Sequence, residues 1–183
     1  MPKNSVRNMT MAAMLGAIYA VLTMVLPIPQ YAGVQIRLAE ALTVLPFLFP
    51  AATPGLFAGC VIANLLSPYG LLDVIAGSGA TLLACLWTQR LKHRALAPLP
   101  SVVCNAIIVG GVIAFAQTGF GPAFRTAYLL NALSVGLGEA IACGILGSLL
   151  LRTLPRIPTF RAMIPQDRLS ALEDSKCVEH QMS

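Results

Sequence analysis

Charge is what this chain has least of. Only 10% of its 183 residues are Asp, Glu, Lys or Arg, against 57% hydrophobic. That balance excludes an ordinary soluble domain and points to an integral membrane protein. Acids are scarcest: there are seven, and three of them (Glu40, Asp73 and Glu139) lie inside or beside apolar stretches. The two histidines, His93 and His180, fall in polar segments away from those acids, so no metal site is expected. The five cysteines (Cys60, Cys85, Cys104, Cys143 and Cys177) form no CxxC pair, which argues against a zinc site or a disulfide framework. Four lie in apolar runs and read as small core residues. GxGxxG, GxxxxGK[ST] and HExxH are all missing. Nucleotide chemistry must therefore come from another chain, and no cofactor is expected here. The net charge of +5 is not a nucleic-acid footprint, because the basic residues sit at segment ends rather than on one face.

What is present is a series of apolar runs. Residues 1–8 are polar and form a cytosolic N-terminus; residues 9–152 hold six predicted spans; residues 153–183 are polar and mixed in charge, expected as a cytosolic, disordered tail. Met9 to Leu26 is long enough to span and exceeds a secretory h-region, so it reads as an uncleaved first helix. It carries Ala13 and Ala17, with Gly16 and Ala20 nearby; small residues four apart admit a second helix, from a partner or from the same bundle. After Pro27-Ile28-Pro29 comes a predicted loop to Leu38. The next runs, Ala41 to Phe49 (with Pro46) and Gly55 to Leu66, are too short to cross a 30 Å core alone. Short, proline-interrupted segments often line a cavity. Leu71 to Trp87, Val102 to Ala116 and Ala127 to Arg152 complete the six.

Charge orients them. With the N-terminus inside, inner segments hold ten basic residues and outer segments two, Arg37 and Arg125. This predicts an N-in, C-in, multi-pass protein. Arg37, Glu40, Asn64, Tyr69, Asp73 and Asn131 then fall near outer ends, with Glu139 deeper, converging on a cavity open to the outside. Asn105 falls near an inner end and reads as a separate helix–helix hydrogen bond.

The sixth run is the most informative. From Ala127 to Leu151 its one charge is Glu139. A lone carboxylate inside a span is costly and marks function by default. On a helix, Asn131, Ser134, Val135 and Gly138 form one stripe with Glu139 on its flank, like a pocket wall. A carboxylate presents two acceptors in a plane, suited to an N–H and NH₂ edge or to a protonated amine. Asn can answer a carbonyl or a ring N–H, and Tyr69 can stack on a planar ligand. The bland alternatives are a Glu139 that serves only packing, an Arg37–Glu40 pair that is local to a helix start, and an Asp73 that only caps the fourth helix.

Four stretches carry a resemblance: Ile36-Arg37-Leu38-Ala39-Glu40-Ala41-Leu42-Thr43-Val44-Leu45-Pro46, Pro54 to Asn64, Ser67-Pro68-Tyr69-Gly70-Leu71-Leu72-Asp73, and Asn131 to Glu139. In this order they resemble the QueT family, small membrane proteins regarded as substrate-binding S components of energy-coupling factor (ECF) transporters. The resemblance covers about residues 9–152. It implies an all-α, six-helix S-component-like bundle in the plasma membrane. It implies a 7-deazapurine ligand: the 7-cyano or 7-aminomethyl 7-deazaguanine, or queuine. It implies a transmembrane T component and two ATP-hydrolysing subunits as partners. A small-xxx-small motif on the first helix is expected to meet the T component, and Ala13 and Ala17 match it. Glu139 or Glu40 would take the N1–H and 2-amino edge, and an Asn the 6-oxo group. Two other classes compete: a stand-alone secondary transporter with Glu139 as its proton-coupling acid, and a membrane enzyme, for which no catalytic set is evident.

Overall fold

The computed structural model describes residues 3–25, 30–31, 34–35, 37–67, 70–170 and 172. Tyr69 therefore lies outside the described residues, as do most of the loop after Leu26 and the last residues of the tail. Helix α1 runs Lys3–Val25. A two-rung antiparallel hairpin follows, β1 (Gln30–Tyr31) with β2 (Val34–Gln35), where a plain loop is predicted. A ten-residue 3₁₀ helix, Leu38–Phe47, leads to α2 (Ala52–Asn64). A π turn, Asp73–Gly77, opens α3 (Ser78–Thr88). The long helix α4 (Leu99–Thr118) ends at Gly119, whose φ of 56° is the left-handed conformation that stops a helix. Helix α5 (Phe124–Ile141) continues through a second π turn (Ala142–Gly147) into α6 (Ser148–Thr153), and α7 (Pro158–Arg161) lies beyond.

Among the described residues there are six apolar helical segments. Three are long and apolar enough to cross a membrane: Val6–Val25, Arg94–Thr118 and Phe124–Arg156. Three are shorter: Leu38–Phe47, Ala52–Asn64 and Asp73–Thr88. The long helices turn large apolar side chains outward, among them Met14, Ile18 and Val21 on α1 and Leu129, Leu133 and Leu137 on α5. A surface of that kind suits lipid rather than water.

Lipid supplies no hydrophobic drive between helices, so close packing must hold the bundle. Glycine provides it. A Cβ on Gly16, Gly55 or Gly59 would overlap backbone atoms of the facing helix, so α1 and α2 cross at backbone contact. On α4, a Cβ at Gly110 would lie 2.8 Å from Ala132 Cα on α5. Ala12, Gly16 and Ala20 are buried along the inner face of α1, whereas Ala13 and Ala17 are exposed.

The 3₁₀ helix is the centrepiece. Every residue from Ala39 to Phe47 is buried, and the segment packs against α1, α2, α3, α6 and the second π turn. A 3₁₀ run of this length is uncommon; at ~2 Å per residue it reaches only ~20 Å. Pro46 lacks an N–H, and Gly147 sits so close that a Cβ there would lie 2.8 Å from Val44 Cγ1. A thin coil fits that space.

The tail departs from expectation as far as it is described. Ile164 and Leu172 are buried in the main core, and Met163 and Leu169 pack against it. The Arg168 guanidinium donates to the carbonyls of Leu91, at 3.1 Å, and Gln89, just past the end of α3. Free carbonyls at a helix C-terminus attract a cation, which gives the segment a docking point. Counting polar residues hid the spaced apolar ones.

Candidate ligand-binding site

The 3₁₀ helix delivers the site. Arg37 is its N-cap and Glu40 lies in its first turn, so both enter the bundle between the helices. Asp73 comes in at the start of the first π turn and Glu139 one turn before the second. All three carboxylates are buried, with exposures of 1% for Glu40, 1% for Asp73 and 3% for Glu139. Arg37 comes within 3.9 Å of Asp73 and lines one crevice with Glu139; its side chain is 15% exposed. π turns widen a helix locally and recur at functional sites. Here each shifts the frame of a helix that carries a buried acid.

Each acid has its own partners. Tyr19 Oη, from α1, donates to Glu40 Oε1 at 2.5 Å; Glu40 Oε2 has no hydrogen-bond partner. The Glu40 main-chain carbonyl is held separately, by Thr43 Oγ1 at 2.6 Å and Cys143 Sγ at 3.2 Å. Thr43 has one proton, so Ser101, 2.5 Å away on α4, donates to it in turn. Glu139 Oε1 accepts from Asn105 Nδ2 at 2.9 Å, and Cys143 Sγ lies 3.5 Å from Oε2. Asp73 Oδ2 accepts from Ser67 Oγ at 2.6 Å and lies 3.9 Å from Arg37 Nη2, while Oδ1 has no partner. Asn64 Nδ2 donates to the Asp73 carbonyl and to Ser78 Oγ, both at 3.1 Å, tying α2 to the first π turn.

One guanidinium thus stands near three buried carboxylates, two of whose oxygens have no hydrogen-bond partner in the interior. Buried polar atoms without partners are rare and costly, so their presence calls for a reason. Arg37, Asn105, Val109, Val135 and Glu139 line a crevice that does not yet admit a water-sized sphere. Its walls pair two apolar surfaces with an acid, an amide and a guanidinium. Among the described residues no group of three or more His, Cys, Asp or Glu has the geometry to hold a metal ion.

Of the residues singled out from sequence, Arg37, Glu40, Asn64, Asp73 and Glu139 come together. Arg37 reaches across to Asp73 on another element, which sets aside the purely local pair with Glu40, and that reach gives Asp73 a role beyond capping. Asn131 stands apart: its amide donates to Gln117 Oε1 and to the Ala127 carbonyl, each at 2.8 Å. It lies eight residues before Glu139, about 12 Å along the helix. Ser134 is half-buried and does not line the crevice. The reading of Asn105 needs correction. It is a helix–helix hydrogen bond, as expected, but its acceptor is Glu139, so it belongs to the site. Asn105 lies 13 residues before the end of α4 and Glu139 15 residues after the start of α5, so an antiparallel pair sets them at one level. That arithmetic was available. Glu40 is level with them too, since its carbonyl touches Cys143. Tyr19 and Ser101 had no such signal, being ordinary residues in apolar runs.

A bundle of apolar helices closed around buried charges and an amide-lined crevice is the build of a membrane protein that handles a small polar solute. The comparison with family models agrees: the model described as QueT transporter matches residues 9–156, and the chain belongs to that family. The family is one of transporters, and the long apolar helices suit a membrane. Searches of curated proteins and of solved structures found no match.

Proposed function

We propose that the chain is the substrate-binding S component of an ATP-driven ECF importer. In this reading it captures queuosine precursors or salvage bases from outside: 7-deazaguanines in their 7-cyano or 7-aminomethyl forms, or queuine. The observation that carries the reading is the group of buried carboxylates near Arg37, of which Glu139 lines a narrow crevice together with Asn105 and Arg37. A carboxylate matches the N1–H and 2-amino edge of a guanine-like ring, and an amide or guanidinium answers its 6-oxo group. Glu139 or Glu40 accepts that edge. Arg37 or Asn105 meets the carbonyl, and Asp73 with Asn64 holds Arg37 and its surroundings. Val109 and Val135 supply the apolar faces that a flat ring needs. Asn131 and Ser134 belong to the approach rather than to the floor. The crevice walls must part for entry, as expected of a capture protein that closes on its ligand.

Ala13 and Ala17 support the partner assignment. The inner face of α1 is used up by packing against α2, which leaves these two small exposed residues for a transmembrane T component. Two ATPase subunits complete the importer, in a plasma-membrane assembly with this chain N-in and C-in across six spans.

The test is equilibrium binding of the purified, detergent-solubilised chain to queuine, both 7-deazaguanine precursors, guanine and a set of vitamins. Submicromolar binding of a deazaguanine by the chain alone supports capture. Clear binding of another solute in place of every deazaguanine overturns the substrate. Uptake by vesicles holding the chain without any ATPase overturns the ECF assignment in favour of a proton-coupled secondary transporter.

A further inference from the structure

We propose that the carboxylate cluster selects a positively charged ligand, so that 7-deazaguanines with a protonated amine on the 7-substituent bind in preference to the neutral 7-cyano form. This rests on the reading of the chain as a 7-deazapurine-binding component and narrows it.

The charge inventory carries the inference. Glu40, Asp73 and Glu139 are each at most 3% exposed, and among the described residues Arg37, 3.9 Å from Asp73 and beside Glu139 at the crevice, is the cation that reaches them. The other described side chains around them bring hydrogen bonds and no positive charge: Tyr19 from α1, Asn64 from α2, Asn105 from α4 and Cys143 from the second π turn. Carboxylates buried in excess of cations are strongly disfavoured unless a positive charge joins them. The hydrogen-bond inventory points the same way. Glu40 Oε2 and Asp73 Oδ1 are acceptors without donors, and each is fully enclosed. A nitrile ends in an acceptor and adds nothing to such a site. A protonated amine brings donors and a charge together, both of which such acceptors lack.

The experiment is competition binding at neutral pH with the purified chain, using 7-aminomethyl-7-deazaguanine, 7-cyano-7-deazaguanine and guanine. The amine should bind at least ~10-fold tighter than the nitrile, the modest end of what a buried charge pair supplies. Equal affinities, or a tighter nitrile, overturn the proposal and mean that protons alone neutralise the cluster. If neither deazaguanine binds, the proposed function fails and this inference with it, an outcome distinct from equal binding. Glu40→Gln and Asp73→Asn should each narrow the preference to within ~3-fold, because each weakens the amine more than the nitrile. A full-sized preference in either folded variant overturns the assignment to these acids. Should neither variant fold, the wild-type ratio decides alone.

Discussion

Replacing Gly77 with alanine tests whether Asp73 is held where the site needs it. Gly77 is buried in the first π turn, and among described residues positive φ is confined to Gly70 and Gly119, so the backbone at 77 accepts a Cβ. The space does not. That Cβ would lie 2.5 Å from Asp73 Oδ1 and 3.1 Å from Asn64 Nδ2. The carboxylate would have to swing away, surrendering the Ser67 hydroxyl and the approach of Arg37. Overpacking of this kind costs ~1–3 kcal/mol, against ~0.5–1 kcal/mol gained by removing a helical glycine. The net is a loss of up to ~2.5 kcal/mol, centred a little above ~1 kcal/mol. Gly79 is the control: nothing lies within 4 Å of its Cβ. Gly79→Ala should be neutral or stabilise by up to ~1 kcal/mol. In detergent, the unfolding midpoint of Gly77→Ala should fall by ~2–8 °C at this chain length, and that of Gly79→Ala should hold or rise. Ligand affinity should fall by ~10-fold or more in the first variant and stay level in the second. A Gly77→Ala protein as stable and as tight-binding as wild type would refute the packing argument.

Three further outcomes follow from particular contacts. Asn105→Ala leaves Glu139 Oε1 without its donor, which should cost ~1–3 kcal/mol in thermal unfolding and weaken ligand binding; unchanged binding would return Asn105 to a purely structural role. Ala13→Trp should block co-purification with a T component and leave ligand affinity intact, because the side chain is exposed and lies well along α1 from Tyr19, the residue of that helix that bonds Glu40; an intact complex on gel filtration would remove Ala13 from the partner face. Arg168→Ala should free the segment after α7, seen as faster protease cleavage at Arg161 with little change in ligand binding; unchanged cleavage would mean that Ile164 and Leu172 anchor it unaided.

Much of this was legible because charge in an apolar run has few uses. Arg37, Glu40, Asp73 and Glu139 stood out for that reason, and Asn64 for its place at the end of a short segment. Of the stripe on α5, Val135, Gly138 and Glu139 are buried, whereas Asn131 and Ser134 are partly exposed. Depth was harder. Helical periodicity gives direction around an axis and says nothing of which level a neighbour occupies, so Asn131 was grouped with acids that lie well below it. Assigning depth by nearness to a segment end also misplaced Glu40, because its segment is a short 3₁₀ helix that begins inside the bundle. Neither that winding nor the π turns leave a mark in hydropathy. Tyr19 is the plainest omission: from sequence it is one more aromatic in a span, and its single hydroxyl becomes informative only once Glu40 is beside it.

The central claim is that the buried acids around Arg37 are the ligand site, and Glu139→Gln tests it most directly. The substitution keeps the shape and the oxygen facing Asn105 but removes the charge and turns one acceptor into a donor. Binding of 7-aminomethyl-7-deazaguanine to the purified variant should drop by ~100-fold or more, as for a lost buried charge-assisted contact, while the protein stays folded and membrane-inserted. Wild-type affinity in the folded Glu139→Gln protein would contradict the account and move the ligand elsewhere in the bundle.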